Sequence, residues 1–203
     1  MSASHNNRLK EMLALEKKLL NFKKSPLYIF RQRNKYIPVI GEGSIKASIM
    51  FIGEAPGKNE AQKGKPFSGA SGKVLNELLE SINLNRDDVY ITNIVKDRPP
   101  ENRNPTKMEI ELYAPFLNKQ IEIIKPKVIA TLGRIPMNYI MEYFGKKSPF
   151  LPISKVHGKQ FVIASNFGRV VIVHLFHPAF ALYNRKNKQK MLKDFQILKK
   201  YSQ

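Results

Sequence analysis

Apolar residues along the chain change spacing, and the changes mark out its elements. Over residues 8–24, Leu9, Met12, Leu13, Leu19 and Leu20 recur at helical intervals, with Glu16 the one polar member of the stripe and lysines opposite. That spacing predicts a packing helix with a basic outer face. Residues 47–52 are instead a continuous apolar run with β-branched members, which reads as a buried strand. The run breaks at Gly53-Glu54-Ala55-Pro56-Gly57, where glycine and proline set a turn. After Ser71 a helical pattern begins, carried by Val74, Leu75, Leu78, Leu79 and Ile82. Further β-type runs cover residues 89–95 and 128–132, and 160–164 with 169–176 read as a hairpin about Ser165-Asn166-Phe167-Gly168. Thr106 with Glu109 forms a capping-box signature for a helix that runs to Ile124, with a kink or break expected at Pro115. A short helix is predicted over 136–144. A last one is predicted over 186–201, with Met191, Leu192, Phe195 and Leu198 inward. Residues 25–45 and 148–157 read as irregular, and residues 1–7 as a disordered tip.

Strand and helix alternate, so the strands at the centre should be parallel. The predicted fold is a three-layer α/β/α sandwich with a central, mostly parallel four-stranded sheet, forming one domain over residues 1–203. Its strand ends would lie side by side at Gly53-Glu54, after Asn93, at Gly133-Arg134 and at His177-Pro178. Ligands in open α/β sheets bind outside such carboxyl ends. The connection after the first strand is long for its type, and long connections usually carry function. Candidate chemistry therefore converges on residues 47–72.

Charge narrows the partner. Lys and Arg number 35 against 16 Asp and Glu, a formal net charge of +19. Such an excess favours a polyanion, with nucleic acid ahead of an anionic membrane surface. A lysine-rich solvated surface is the blander alternative, because lysine greatly exceeds arginine. No apolar run has the length of a membrane span, and the N-terminal region lacks the pattern of a signal peptide, so an intracellular setting is expected. The chain has no cysteine, which excludes disulfides and thiolate-held metal. Among candidate residues, Phe67 offers an aromatic face, and Asn93 inside an apolar run must hydrogen-bond something. His177 precedes a proline and can cap a strand. Glu54 can equally hold its loop or act in catalysis. His174 reads as core or sheet face, and His157 as a phosphate contact or an ordinary loop residue.

Four stretches, GEAPG, GKPFSG, ITNIVKDRPPENRNP and HPA, stand in this order with fitting gaps. Together they resemble the family 4 uracil-DNA glycosylases, over residues 24–198. The resemblance implies hydrolysis of the N-glycosidic bond of deoxyuridine in DNA, giving free uracil and an abasic site, with the base extruded into a tight pocket. It implies that Phe67 stacks on uracil, Asn93 reads its Watson–Crick edge and His177 stabilises charge near O2. Gly53, Glu54, Ala55 and Glu60 line the pocket, and Glu60 is assigned to the attacking water. Pro178, Ala179, Tyr183 and Arg185 belong to a loop that enters the minor groove, with Arg134 and Lys159 as further DNA contacts. The expected partner is uracil-containing DNA, single- or double-stranded, bound by a monomer.

Members of that family hold a four-iron four-sulfur cluster through four cysteines. Here Ser25, Tyr28, Asp97 and Tyr113 occupy those positions, and hydroxyls with one carboxylate cannot replace thiolates. No cofactor is expected. The region should be repacked, with Tyr28 against Tyr113 and Asp97 paired to Arg98 or a lysine. Two smaller departures are Ala61, where the family often has Asp, and Tyr183, where it often has arginine. ENRNPTKME lacks the basic, histidine-bearing insertion of the relative that captures DNA covalently, so turnover is expected. The alternatives are a DNA-binding accessory protein that keeps the fold without catalysis, and a glycosylase for another deaminated base such as hypoxanthine.

Overall fold

The computed structural model describes residues 3–146 and 152–201. In chain order the elements are α1 (Ala3–Leu20), α2 (Leu27–Arg33), β1 (Glu42–Gly43), β2 (Ile49–Gly53), α3 (Lys58–Lys63), α4 (Ala70–Glu80) and β3 (Tyr90–Asn93). They continue with α5 (Lys107–Ile124), β4 (Val128–Leu132), α6 (Arg134–Tyr143), α7 (Ile153–Val156), β5 (Gln160–Ser165), β6 (Gly168–Leu175) and α8 (Arg185–Phe195). Short 3-10 turns cover Arg86–Asp88, Pro100–Asn102, Pro178–Leu182 and Gln196–Tyr201.

The strands form one sheet in the order β1-β3-β2-β4-β6-β5. β3, β2, β4 and β6 are mutually parallel, as the alternation of elements predicts. The sheet nevertheless has six strands rather than four. The hairpin strand β5 extends one edge antiparallel to β6, and the two residues of β1 pair antiparallel with β3 at the other. So short a strand leaves no periodicity to detect.

β2 and β4 are buried along their whole length, as parallel strands covered on both faces must be. Alternate side chains feed two cores. Met50, Ile52 and Ile129 pack with Leu15 and Leu19 of α1, Tyr113, Leu117 and Ile121 of α5 and Ile140 of α6. Ile49, Phe51, Ala130 and Leu132 pack with Leu75, Leu78 and Leu79 of α4 and Phe195 of α8. These are the three layers expected.

Several local expectations change. Within the stretch read as irregular, residues 25–45, Ser25 accepts the Leu27 amide and α2 follows. Pro115 neither kinks α5 out of existence nor ends it. The helix runs from its Thr106 cap to Ile124, because Phe116, Leu117, Gln120 and Ile121 all gain buried positions beyond the proline. The capping box is formed as predicted, with Thr106 accepting from the Glu109 amide and Glu109 accepting from the Thr106 amide. Of the 148–157 loop, residues 148–151 lie outside the described residues, and Ile153–Val156 form α7. The last helix ends at Phe195 and tightens to 3-10 geometry through Tyr201. At the N-terminus, residues 1–2 lie outside the described residues and α1 begins at Ala3, inside the tip expected to be disordered.

Candidate active site

Register puts the chemistry at one end of the sheet. Gly53, the last residue of β2, pairs with Asn93, the last of β3, and Leu132 of β4 pairs with Leu175 of β6, two residues before His177. Outside these ends lies a cleft of about 610 Å³ lined by Glu54, Ala55, Gly57, Glu60, Phe67, Ser71, Asn93, Asn102, Asn104, His177, Ala179 and Tyr183. Gly53 abuts two of its lining side chains. A Cβ there would meet the Asn93 Oδ1 at 2.3 Å and the Phe67 Cζ at 2.8 Å, so only glycine lets these two side chains converge.

Asn93 is 2% exposed, and its carboxamide has no hydrogen-bond partner among the described residues. Its polar atoms face the open cleft, where a ligand can take the place of water; the fully buried side-chain atoms without a partner among the described residues are instead Ser68 Oγ and His174 Nε2. The Asn93 backbone is held from beneath. Lys96, fully buried, donates to the Asn93 carbonyl at 2.7 Å, to Thr92 Oγ1 at 2.7 Å and to Gln120 Oε1 at 2.6 Å. Burial drives the Lys96 ammonium well below its ordinary pKa.

Phe67 carries φ +46°, a left-handed conformation that a bulky side chain rarely adopts. Its ring lies 5.6 Å from that of His177, centroid to centroid, at an interplanar angle of 33°. Glu60 Oε1 accepts the next two amides, Ser68 at 2.9 Å and Gly69 at 2.8 Å. One oxygen of the carboxylate assigned to water is thus committed to the loop.

His177 Nδ1 accepts the Ala179 amide at 3.2 Å. In the neutral ring the proton therefore sits on Nε2. Burial pushes the imidazole down to about 4, and Glu60 opposes this by Coulomb attraction, so the ring is uncharged at neutral pH. Burial raises the Glu54 carboxyl, and Arg134 at the start of α6 pulls it back.

The remaining predicted residues disperse. Pro178 is buried at the start of the 3-10 turn, while Tyr183, 83% exposed, stands at the cleft rim. Arg185 and Lys159 are exposed but do not line the cleft. His174 is buried against Thr131 Oγ1 at 2.9 Å, the core position expected. His157 binds Asp194 at 2.7 Å and packs on Phe176, which gives it a structural partner. Residues missed from the sequence are Gly57, Ser71, Asn102 and Asn104. Two asparagines beside Arg103 in a proline-rich loop at a strand end were the available signal for the last pair.

The cluster-ligand positions do come together, as a closed polar knot. Arg31 Nη1 donates to Asp97 Oδ2 at 3.2 Å and Oδ1 at 3.3 Å, and its Nη2 donates to the Leu20 and Phe22 carbonyls. The Tyr113 hydroxyl donates to Asp97 Oδ2 at 2.5 Å and also bonds Ser25. Burial lifts the Asp97 carboxyl, and Tyr113 and Arg31 oppose that lift. The expected partners are therefore wrong. Asp97 pairs with Arg31, while Arg98 turns to Tyr36 and Asn102. Tyr113 packs on Phe22 and Phe116, and Tyr28 lies against the Arg31 guanidinium at 5.0 Å. With no thiolate and its carboxylate already engaged, this donor set does not fit an iron–sulfur cluster.

The chain belongs to the uracil DNA glycosylase superfamily, whose family model matches residues 40–199. Relatives place it more narrowly, beside the type-4 uracil-DNA glycosylases. It is 42% identical to that of Sulfurisphaera tokodaii over 186 residues, covering 91% of this chain and 82% of the relative. It is 42% identical over 167 residues to that of Archaeoglobus fulgidus, covering 82% of each. It is 43% identical over 172 residues to that of Saccharolobus solfataricus, covering 84% of this chain and 78% of the relative.

Proposed function

We propose that this chain is a uracil-DNA glycosylase that works without an iron–sulfur cluster. It hydrolyses the N-glycosidic bond of deoxyuridine in DNA and releases free uracil. The observation that carries this reading is the convergence of the Asn93 carboxamide, the Phe67 ring and the His177 imidazole on one cleft at the strand ends.

A carboxamide offers one donor and one acceptor face, and so does the edge of uracil at O4 and N3–H. Cytosine reverses the pattern, so a carboxamide held in one orientation by the bound base and cleft leaves buried groups unpaired with it and rejects it strongly. Phe67 supplies the stacking face for a base swung out of the duplex. As the C1′–N1 bond breaks, its electron pair leaves with uracil and the sugar becomes cationic. His177, neutral with its proton on Nε2, donates toward O2 and stabilises the departing anion. Water then attacks C1′, and its proton is lost to solvent or to uracil. Glu54 and the second oxygen of Glu60 are the carboxylates available to hold that water and face the cation. Tyr183 and the turn from Pro178 approach the minor groove, with Arg134, Arg185 and Lys159 as phosphate contacts.

The chain is taken to act as a monomer on genomic DNA, a substrate that implies an intracellular setting. Among the described residues no helix is long and apolar enough to cross a membrane. The test is release of free base from matched oligonucleotides carrying U:G, U:A, single-stranded U or hypoxanthine. Uracil release from the first three is expected. Absence of release with intact DNA binding would favour an accessory protein, and preference for hypoxanthine would move the specificity.

A further inference from the structure

Phe67 is held in its unusual conformation by a side chain that never enters the cleft. Arg86 sits in the 3-10 turn before β3, behind the loop. Its Nη2 donates to the Pro66 carbonyl at 2.8 Å, and its Nη1 reaches the Phe67 carbonyl at 3.4 Å and Asn76 Oδ1 at 3.1 Å. Glu42 anchors the guanidinium at 2.7 Å and also approaches Lys65 at 3.5 Å. Glu42 is delivered by β1, the two-residue edge strand. β1 is pressed onto the same turn closely enough that a Cβ at Gly43 would meet the Val89 carbonyl at 1.9 Å.

We infer that Arg86, anchored by Glu42, is a positioning residue that fixes the ring of Phe67 against the flipped base. The peptide groups around Phe67 are held from two sides. Arg86 takes the carbonyls of residues 66 and 67 from behind, and Glu60 takes the amides of residues 68 and 69 from the cleft. The Phe67 carbonyl is further pinned against α4, where a Cβ at Gly72 would lie 1.7 Å from it. A bulky residue at φ +46° stays there only when its surroundings over-determine it. Without the guanidinium the segment can relax toward negative φ, and the ring then leaves its place over Gly53. A planar fork is required, since a lysine can keep the charge beside Glu42 but cannot span both carbonyls.

This inference rests on the proposed activity, so its test carries one readout that does not. Arg86→Ala is expected to lower kcat/KM for uracil release about tenfold, the size of one stacking contact, and to weaken inhibition by free uracil by the same factor. Arg86→Lys should recover thermal stability but not kcat/KM. In a Phe67→Ala background, Arg86→Ala should leave kcat/KM unchanged while still lowering the melting temperature. Multiplicative losses in the double variant would overturn the inference, because Arg86 would then act by another route. A crystal structure of Arg86→Ala with Phe67 still at positive φ over Gly53 would overturn it whatever the activity. Failure of the wild-type chain to release uracil would instead sink the proposed function, and that crystal structure would still decide the role of Arg86.

Discussion

Two buried polar regions lie within this one fold, and they are finished differently. In the knot at Ser25, Arg31, Asp97 and Tyr113, the guanidinium, carboxylate and hydroxyls answer one another. In the cleft, the Asn93 amide is left open, Phe67 is held in a left-handed conformation, and His177 is kept uncharged by burial. Closed networks make a region rigid and specify its packing, whereas open ones store a demand that a ligand meets. The knot stands where a resembling family places a metal cluster, and it closes with charge and hydrogen bonds the gap that thiolates would otherwise fill. The cleft stands outside the carboxyl ends of the parallel strands, where an α/β fold binds ligands, and on the proposed reading it takes a pyrimidine.

The comparison is broken most directly at Asn93. On the proposed reading Asn93→Ala removes the amide that selects the base, and uracil release should fall on the order of 10⁴-fold, as sites built on buried hydrogen bonds lose substrates they cannot pair. Because the amide has no partner in the free protein, the melting temperature should stay level or rise. A loss of stability matching the loss of activity would show the amide to be structural and erase the contrast. In the knot the same kind of change has the opposite signature. Asp97→Ala leaves Arg31 buried and unpaired, which costs about 4 kcal/mol of folding stability, read by denaturant unfolding. Uracil release per folded molecule should change little. Replacing Arg31 and Asp97 together by apolar residues of similar volume should recover most of that stability, since a buried ion pair is expensive to desolvate.

How much of this was legible follows the range of the interactions. The capping box of Thr106 and Glu109, the strand ends and the alternation that gives a parallel centre depend on neighbours within a few residues. They can be read from spacing. Asn93, Phe67 and His177 were picked out by residue type and by resemblance, and the fold brings them to one cleft. The partner of Asp97 lies 66 residues away in a helix that the sequence hides. Arg31 and its neighbours carry no signal that would single it out over Arg98. Strand β1 is too short for any period, yet it carries Glu42 to Arg86. The left-handed backbone at Phe67 was invisible as well, because Phe-Ser-Gly does not announce it. Glycines at 53 and 72 leave room for it, and hydrogen bonds from Arg86 and to Glu60 flank it.

Protons probe the contrast most gently, because they alter one atom. An unperturbed imidazole titrates near 6.5, and His177 is lowered to about 4 by its burial in the cleft wall. His177 should therefore give uracil release under single-turnover conditions no acid limb near 6.5; its protonation toward about 4 breaks the bond from the Ala179 amide, and the Glu54 carboxyl, raised by burial, adds an acid limb of its own that a Glu54→Gln variant separates. An acid limb centred near 6.5 would mean the ring is solvated and free to charge. The stability sign follows from linkage. Between the two values the unfolded chain binds a proton that the folded chain refuses, so the contribution is complete above 6.5 and is lost as pH falls toward 4. His174, buried beside Thr131, is lowered to about 4 by the same cause and adds in the same direction. Each can remove up to about 3 kcal/mol at the acid end. His174→Gln should flatten the pH dependence of unfolding without moving the acid limb of catalysis, whereas a change at His177 should move both. That separation, measured on one pair of variants, distinguishes a histidine that only packs from one that faces the base.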